Sequence, residues 1–358
     1  MMKLIDKYLV RQYITTFLFI LGIVLIICLV VDVVEKIDDF LEKDPPLAEI
    51  MLDYYPNFIY YWGSLLAPIC VFLAVIFFTS RLASRTELIP LLSAGVSFYR
   101  IMAPYLVTSF LMAGAAFYFK SFLVPESTAT RLEFEYKYLR KRRISNTKHV
   151  HKKVAPDTYL YISYYNQKRK EGHTIGLERV RNDSIITKIR ARKMAWVDST
   201  QSWELEKVER REIRGLEERI SRQETLDTTF LLTPDDIYIK EQWAESMPLF
   251  DLLRYIELEE MRGSDILEEL YIERHRRFSD PLAMIILTLI GFAMASRKRR
   301  GGIALQIGLG LLICFVYVSL IFAGQAVVGE SVDPWVAVWF PNLIFLPLAI
   351  LLLRQAPK

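Results

Sequence analysis

The polar residue with the most to say about chemistry in this chain is a single glutamate, Glu87. It lies in Ser84-Arg85-Thr86-Glu87-Leu88-Ile89-Pro90-Leu91-Leu92-Ser93-Ala94-Gly95, between two long apolar runs. Ser84 and Glu87 have the spacing of a capping box, so the sequence predicts a helix that starts there. Leu88, Leu91 and Leu92 then share one face, and Gly95 can close the end. A short amphipathic helix on a membrane surface has two readings. It is an ordinary interfacial loop helix, or a docking helix that takes force from a cytosolic partner. In the second reading Glu87 meets a cation on the partner, with Arg85, Leu88 and Leu91 beside it, and the helix start favours the negative charge.

The other reactive residue types do not converge. The chain has no G-x-x-x-x-G-K-[ST] phosphate loop, no H-E-x-x-H and no G-x-S-x-G. ATP hydrolysis by this chain alone is therefore not expected. His149 and His151 stand among Lys148, Lys152 and Lys153, which reads as a solvated segment rather than a metal site. Cys28, Cys70 and Cys314 are far apart inside apolar runs and read as packing residues, with no disulfide framework and no metal.

The elements that must carry these residues follow from composition. The 358-residue chain is 53% hydrophobic and 24% charged, and the two fractions are segregated, apolar at the ends and charged in the middle. That pattern is a membrane protein with one large polar insertion. The net charge of +4 is too small and dispersed for nucleic acid. A span needs about 20 apolar residues. Six candidates come near this: Tyr13 to Val34, Phe58 to Thr79 (with Pro68 expected to kink it), Ile101 to Val124, Pro281 to Ala295 or from a turn earlier, Ile303 to Val328 and Val336 to Leu353. The first apolar run is too long for a cleavable signal and lacks a small-residue cleavage site.

Orientation is read from the short loops. Lys3, Lys7, Arg11, Arg81, Arg85, Arg100, the run Arg297-Lys298-Arg299-Arg300, Arg354 and Lys358 all fall on one side, expected to be cytosolic, with both termini. The opposite short loops, Asp32 to Asp53 and Glu330 to Asp333, are acidic or mixed. The expected organisation is a first membrane half over 1–124, a polar domain over 125–277 and a second membrane half over 278–358. The expected fold is thus an α-helical membrane protein of six transmembrane helices. An all-β domain, a sandwich, jelly roll or open barrel, is inserted between spans three and four, on the side opposite the cytosol.

Within the insertion, Arg131 to Arg143 is expected to continue the third helix. Tyr159–Tyr164, Thr174–Val180, Ile185–Trp196 and Trp203–Val208 read as strands of a sandwich, jelly roll or open barrel, with turns at Glu171-Gly172, Asn182-Asp183 and Asp198-Ser199. Leu249 to Met261 and a segment from Asp265 read as connecting helices. The later spans show no ionisable residue at mid-depth, which disfavours an ion-driven carrier.

Several segments resemble the LptF/LptG permease family, the membrane subunits of the lipopolysaccharide-export ABC transporter. They are Leu4-Ile5-Asp6-Lys7-Tyr8-Leu9-Val10-Arg11, the Ser84–Gly95 stretch, Glu273-Arg274-His275-Arg276-Arg277-Phe278-Ser279-Asp280-Pro281-Leu282 and Trp339-Phe340-Pro341-Asn342-Leu343. Their order and spacing cover essentially the whole chain, and Asp6, Asp38 and Leu232-Thr233-Pro234-Asp235 lean towards LptG.

The resemblance implies a permease in the bacterial inner membrane, paired with a second homologous permease. A cytosolic ABC ATPase dimer docks at Glu87 and holds the ATP and Mg; this chain binds no cofactor and no metal. The substrate is lipopolysaccharide, drawn from the outer leaflet, and the β-domain hands it to a periplasmic bridge protein with a matching jelly roll. The implied lateral gate uses spans one and five, with Val24, Ile27, Val31, Gly308 and Phe315; Gly308, Gly310 and Gly324 allow close helix approach. Lipid phosphates are expected at Lys36, Lys43 or Arg131. Here, though, the outer end of span one is net acidic (Asp32, Glu35, Asp38, Asp39, Glu42, Asp44). Either the lipid carries fewer phosphates or the cations come from the partner permease or Arg131. Two other classes stay open: an ion-driven exporter of amphiphiles, and a membrane-anchored periplasmic binding scaffold.

Overall fold

A computed structural model describes residues 4–87, 90, 93–139, 147–155, 157–166, 169–181, 184–214, 217–229, 232–237, 243–262, 266–296, 302–326 and 332–355. Among them, six helices are long and apolar enough to cross a membrane. They are α1 (Leu4–Lys43), α2 (Leu47–Ser84), α3 (Phe98–Leu139), α5 (Leu267–Ala295), α6 (Gly302–Ala326) and α7 (Pro334–Arg354). A shorter helix, α4 (Leu249–Arg262), precedes α5. Every expected span is found, and α1, α2, α3 and α5 run well beyond their apolar stretches.

The extension of α3 has a local cause. Pro125 has no N–H to give the preceding turn, and a π-helical turn over Phe119–Leu123 takes up the mismatch, so the helix resumes at Val124 without a break. A similar turn at Ile50–Tyr54 leads into the long part of α2.

The chain divides into two compact units, Met1–Leu139 with Glu245–Leu249 and Glu268–Lys358, and Arg140–Ala244 with Phe250–Leu267. In the helical unit α2 and α5 form the centre, each with 67% of its most apolar window buried. Phe72 and Ile76 of α2 pack against Ile286, Leu287 and Ile290 of α5. Gly291 permits this approach, since a Cβ there would stand 3.1 Å from Phe72 and Val75. By contrast α1 has 6% of its window buried and α6 has 17%.

The other unit is built on one antiparallel sheet of six strands in sequential order: β1 (Thr147–Ala155), β2 (Thr158–Asn166), β3 (Glu171–Arg181), β4 (Ser184–Val197), β5 (Ser202–Arg214) and β6 (Glu217–Thr228). The insertion is all-β, as its alternating pattern requires. Leu160, Ile162, Ile175, Met194, Trp203 and Leu205 share one buried cluster, joined by Leu232 and Ile237 from the chain after β6. The Trp203 indole N–H donates to the Leu232 carbonyl at 2.7 Å, fixing that closing segment.

The turn at Asp198-Ser199 is present. The one expected at Glu171-Gly172 falls a residue earlier, at left-handed Lys170, and Gly172 lies inside β3. Its Cβ would come 3.0 Å from Ile162, so glycine answers to sheet packing there. Asn182-Asp183 lies outside the described residues, as do Arg297 to Arg300 and Glu330. β1 is a strand that the Lys/His-rich sequence concealed. Val150 and Val154 point to the core, and Lys152 between them, paired at 3.6 Å with Glu259 of α4, has a largely buried side chain. The side chains of His149 and His151 lie outside the described residues.

Candidate functional site

Ser84 does not open a helix; it closes one. It is the last residue of α2, and its hydroxyl donates to the Arg81 carbonyl at 2.9 Å. Thr86 is left-handed at φ 57°, its N–H reaches the Ala83 carbonyl, and the Glu87 N–H reaches back to Leu82 at 3.0 Å. This pair of bonds is a Schellman closure, which satisfies the carbonyls that any helix leaves open. Glu87 is thereby delivered, exposed, just past the end of α2, with Arg85 at 4.0 Å. The capping-box pattern gave the wrong role to Ser84, because the same spacing arises when Ser ends one helix.

Leu88, Ile89, Leu91 and Leu92 lie outside the described residues, so the expected docking face is represented by Glu87, Arg85, Pro90 and Ser93. Pro90 and Ser93 are helical and exposed. The Ala94 N–H donates to the Pro90 carbonyl at 2.9 Å, and Gly95 turns at φ 82°, where glycine carries no steric cost. Ser97 then caps α3 by accepting from the Arg100 N–H at 3.3 Å. The Arg100 guanidinium grips the Asp6 carboxylate of α1 with two bonds, at 2.8 and 2.7 Å. The segment between α2 and α3 is therefore tied to three spans within a few residues.

At the other end of α1 the structure gathers the expected lipid-phosphate cations and supplies each with an internal acceptor. Lys36 lies 2.7 Å from Asp32 and bonds the Tyr54 hydroxyl, which itself donates to Asp32 at 3.0 Å. Arg131 pairs with Glu135 at 2.6 Å and stacks over the Tyr61 ring at 4.4 Å. Glu135 is also 3.9 Å from Lys36, which joins the two pairs. Lys43 donates to the Leu139 carbonyl at 2.8 Å and reaches Asp39 at 3.4 Å.

The residues expected at a lateral gate lie on the two least buried spans. Ile27 and Val31 of α1 and Phe315 of α6 are exposed, Val24 is half-buried, and a Cβ at Gly308 would meet nothing. Gly310 and Gly324 serve packing inside this chain. A Cβ at Gly310 would stand 2.5 Å from Ile76 of α2, and one at Gly324 2.5 Å from the Ala337 carbonyl oxygen of α7.

Sequence reasoning missed a buried ion network where α5 begins. Arg277 is fully buried, bonds Glu273 at 3.1 Å and donates to the Met247 carbonyl at 2.6 Å. Arg276 reaches Glu245 at 3.5 Å, and Lys120 of α3 pairs with Asp280. The i, i+4 spacing of Glu273 and Arg277 was a readable signal; the Met247 carbonyl was not. Deeper in the helices, Asn342 donates to the Ser279 carbonyl and hydroxyl at 3.0 and 2.8 Å and accepts from Tyr317 at 3.1 Å. These bonds give the Pro-Asn pair of α7 a structural reason.

Six apolar helices with an all-β unit inserted between the third and fourth define a polytopic membrane protein. A family model described as lipopolysaccharide export system permease LptF/LptG matches residues 7–355. The chain belongs to the LptF/LptG family and is a multi-pass inner-membrane permease of lipopolysaccharide export. No curated protein matches it at a significant level.

Proposed function

We propose that this chain is one half of a permease pair that extracts lipopolysaccharide from the outer leaflet of the inner membrane, driven by a separate cytosolic ABC ATPase dimer that binds the ATP and Mg. The observation that carries this reading is the segment between α2 and α3. Its Schellman closure presents Glu87 outward, and its continuation is clamped to α1 by Arg100 and Asp6. A push on Glu87 is transmitted to α2, α3 and α1 together, as a rigid-body movement. The cluster of Lys and Arg at the short loops supports a cytosolic location for this segment and both termini and a periplasmic one for the β-unit.

In this account the exposed faces of α1 and α6, with Val24, Ile27, Val31, Gly308 and Phe315, form lateral gates with the second homologous permease. The β-unit passes the lipid to a bridge protein with a matching jelly roll. Lipid phosphates that reach Lys36, Lys43 or Arg131 exchange for Asp32, Asp39, the Leu139 carbonyl and Glu135. Reconstitution of the co-purified complex in proteoliposomes tests the reading. ATP-dependent release of lipopolysaccharide to an added bridge protein is expected; ATP-independent release, or none, would contradict it.

A second reading, export driven by an ion gradient, draws on the Lys120–Asp280 and Glu273–Arg277 pairs. Under it an uncoupler at constant ATP stops transport; under the ATPase reading transport is unchanged.

A further inference from the structure

We propose that a cleft between the start of α1 and the end of α2 binds the phosphate of an anionic phospholipid headgroup. The cleft, about 170 Å³, is lined by Tyr8 and Gln12 from α1, Phe78, Arg81 and Arg85 on the α2 side, and Glu87 beyond. Arg81 and Arg85 are four residues apart and so share a face of the last turns of α2. Arg81 is exposed and its guanidinium has no partner among the described residues. Arg85 is 56% exposed and has Glu87 at 4.0 Å, the outer limit of an ion pair. Two guanidiniums one turn apart present planar forks of donors, the geometry that suits phosphate oxygens. The Tyr8 hydroxyl and the Gln12 amide can donate from the facing helix.

The choice of a lipid over a free anion rests on the walls. The cleft lies where two membrane spans reach their polar ends, and Phe78 forms an apolar wall one turn below the cations. That order, apolar then cationic along one span, matches the order of acyl chain and phosphate in a phospholipid. Lys7 and Arg11, exposed and flanking Tyr8 and Gln12 on α1, add to the positive potential at this end.

Glu87 also lines the cleft and repels an anion. A phosphate seated on both arginines therefore displaces the Glu87 carboxylate from Arg85 and frees it for a cation outside the chain. This last consequence rests on the docking role given to Glu87 above; the lipid site itself does not.

The test is native mass spectrometry of the full-length chain, purified with whatever partners accompany it, delipidated and titrated with phosphatidylglycerol or phosphatidylcholine. Wild type is expected to retain phosphatidylglycerol by a preference of about tenfold, the gain from a charge-assisted bond pair. Arg81→Gln/Arg85→Gln should abolish the preference, Arg81→Lys/Arg85→Lys should keep part of it, and Arg354→Gln, at another span end, should leave it intact. An unchanged thermal melt in detergent shows that each variant is folded. The proposal is overturned if wild type does not distinguish the two lipids, or if the glutamine pair keeps the preference. It is overturned as a lipid site if excess inorganic phosphate displaces the lipid completely. It is also overturned if the glutamine pair loses only a bound ATPase, which would make the arginines a protein contact. Absence of any ATPase from wild type would count against the exporter reading and leave the lipid result standing.

Discussion

Asn342 shows how a polar side chain is kept inside an apolar span: all of its hydrogen-bonding groups are used, by Ser279 and Tyr317 on neighbouring helices. Interhelical bonds of this kind average about 0.6 kcal/mol each in membranes. Asn342→Leu is therefore expected to lower stability by about 1–2 kcal/mol in a detergent unfolding titration, without loss of ATPase association. The glycines of α6 separate in the same way. Gly324→Ala drives a methyl into the Ala337 carbonyl and should cost about 1–3 kcal/mol, whereas Gly308→Ala, facing open space, should hold or raise the unfolding midpoint, alanine being the better helix former. Arg277→Ala leaves buried Glu273 with only Arg276, at 4.0 Å, and should cost about 3–5 kcal/mol. Sequence alone made Gly308, Gly310 and Gly324 equivalent, since helix-facing and lipid-facing glycines read alike. Only the packing partners Ile76 and Ala337 tell them apart.

At the scale of elements, the end of α2 carries the most consequence. Thr86 holds a left-handed conformation that a β-branched residue rarely adopts. Thr86→Gly should relieve that strain and keep or raise coupling, measured as lipid exported per ATP hydrolysed. Thr86→Pro cannot reach a positive φ and loses the N–H bonded to Ala83, so it should uncouple transport. The six spans were legible because about 20 apolar residues in a row have few other fates. The helix ends were not, because closure at Thr86 depends on backbone bonds that no residue type announces. β1 was hidden for a different reason. Its inward Lys152 looks solvated until Glu259, more than 100 residues later in sequence, neutralises it. β2 to β5 were legible from their strand-forming residues and the turn signals between them, although a bulge at Arg179/Val180 and left-handed Lys207 break the alternation.

For the whole molecule, α1 is held by polar clamps at both ends and has little cover between them. Asp6–Arg100 fixes one end, Asp32–Lys36–Tyr54 the other, and the apolar face with Ile27 and Val31 is exposed. Lys36→Met alone strands Asp32 and should destabilise the protein more than the paired Asp32→Asn/Lys36→Met variant, as judged by unfolding midpoints. The proposed coupling brings force in through Glu87. It is tested by co-purification from native membranes of wild type beside Glu87→Arg, with ATPase activity and lipopolysaccharide release read on each. An ATPase is expected to accompany wild type, and Glu87→Arg is expected either to lose it or to hydrolyse ATP without releasing lipid. An intact complex with full release in Glu87→Arg, or a wild type that carries no ATPase, would contradict it.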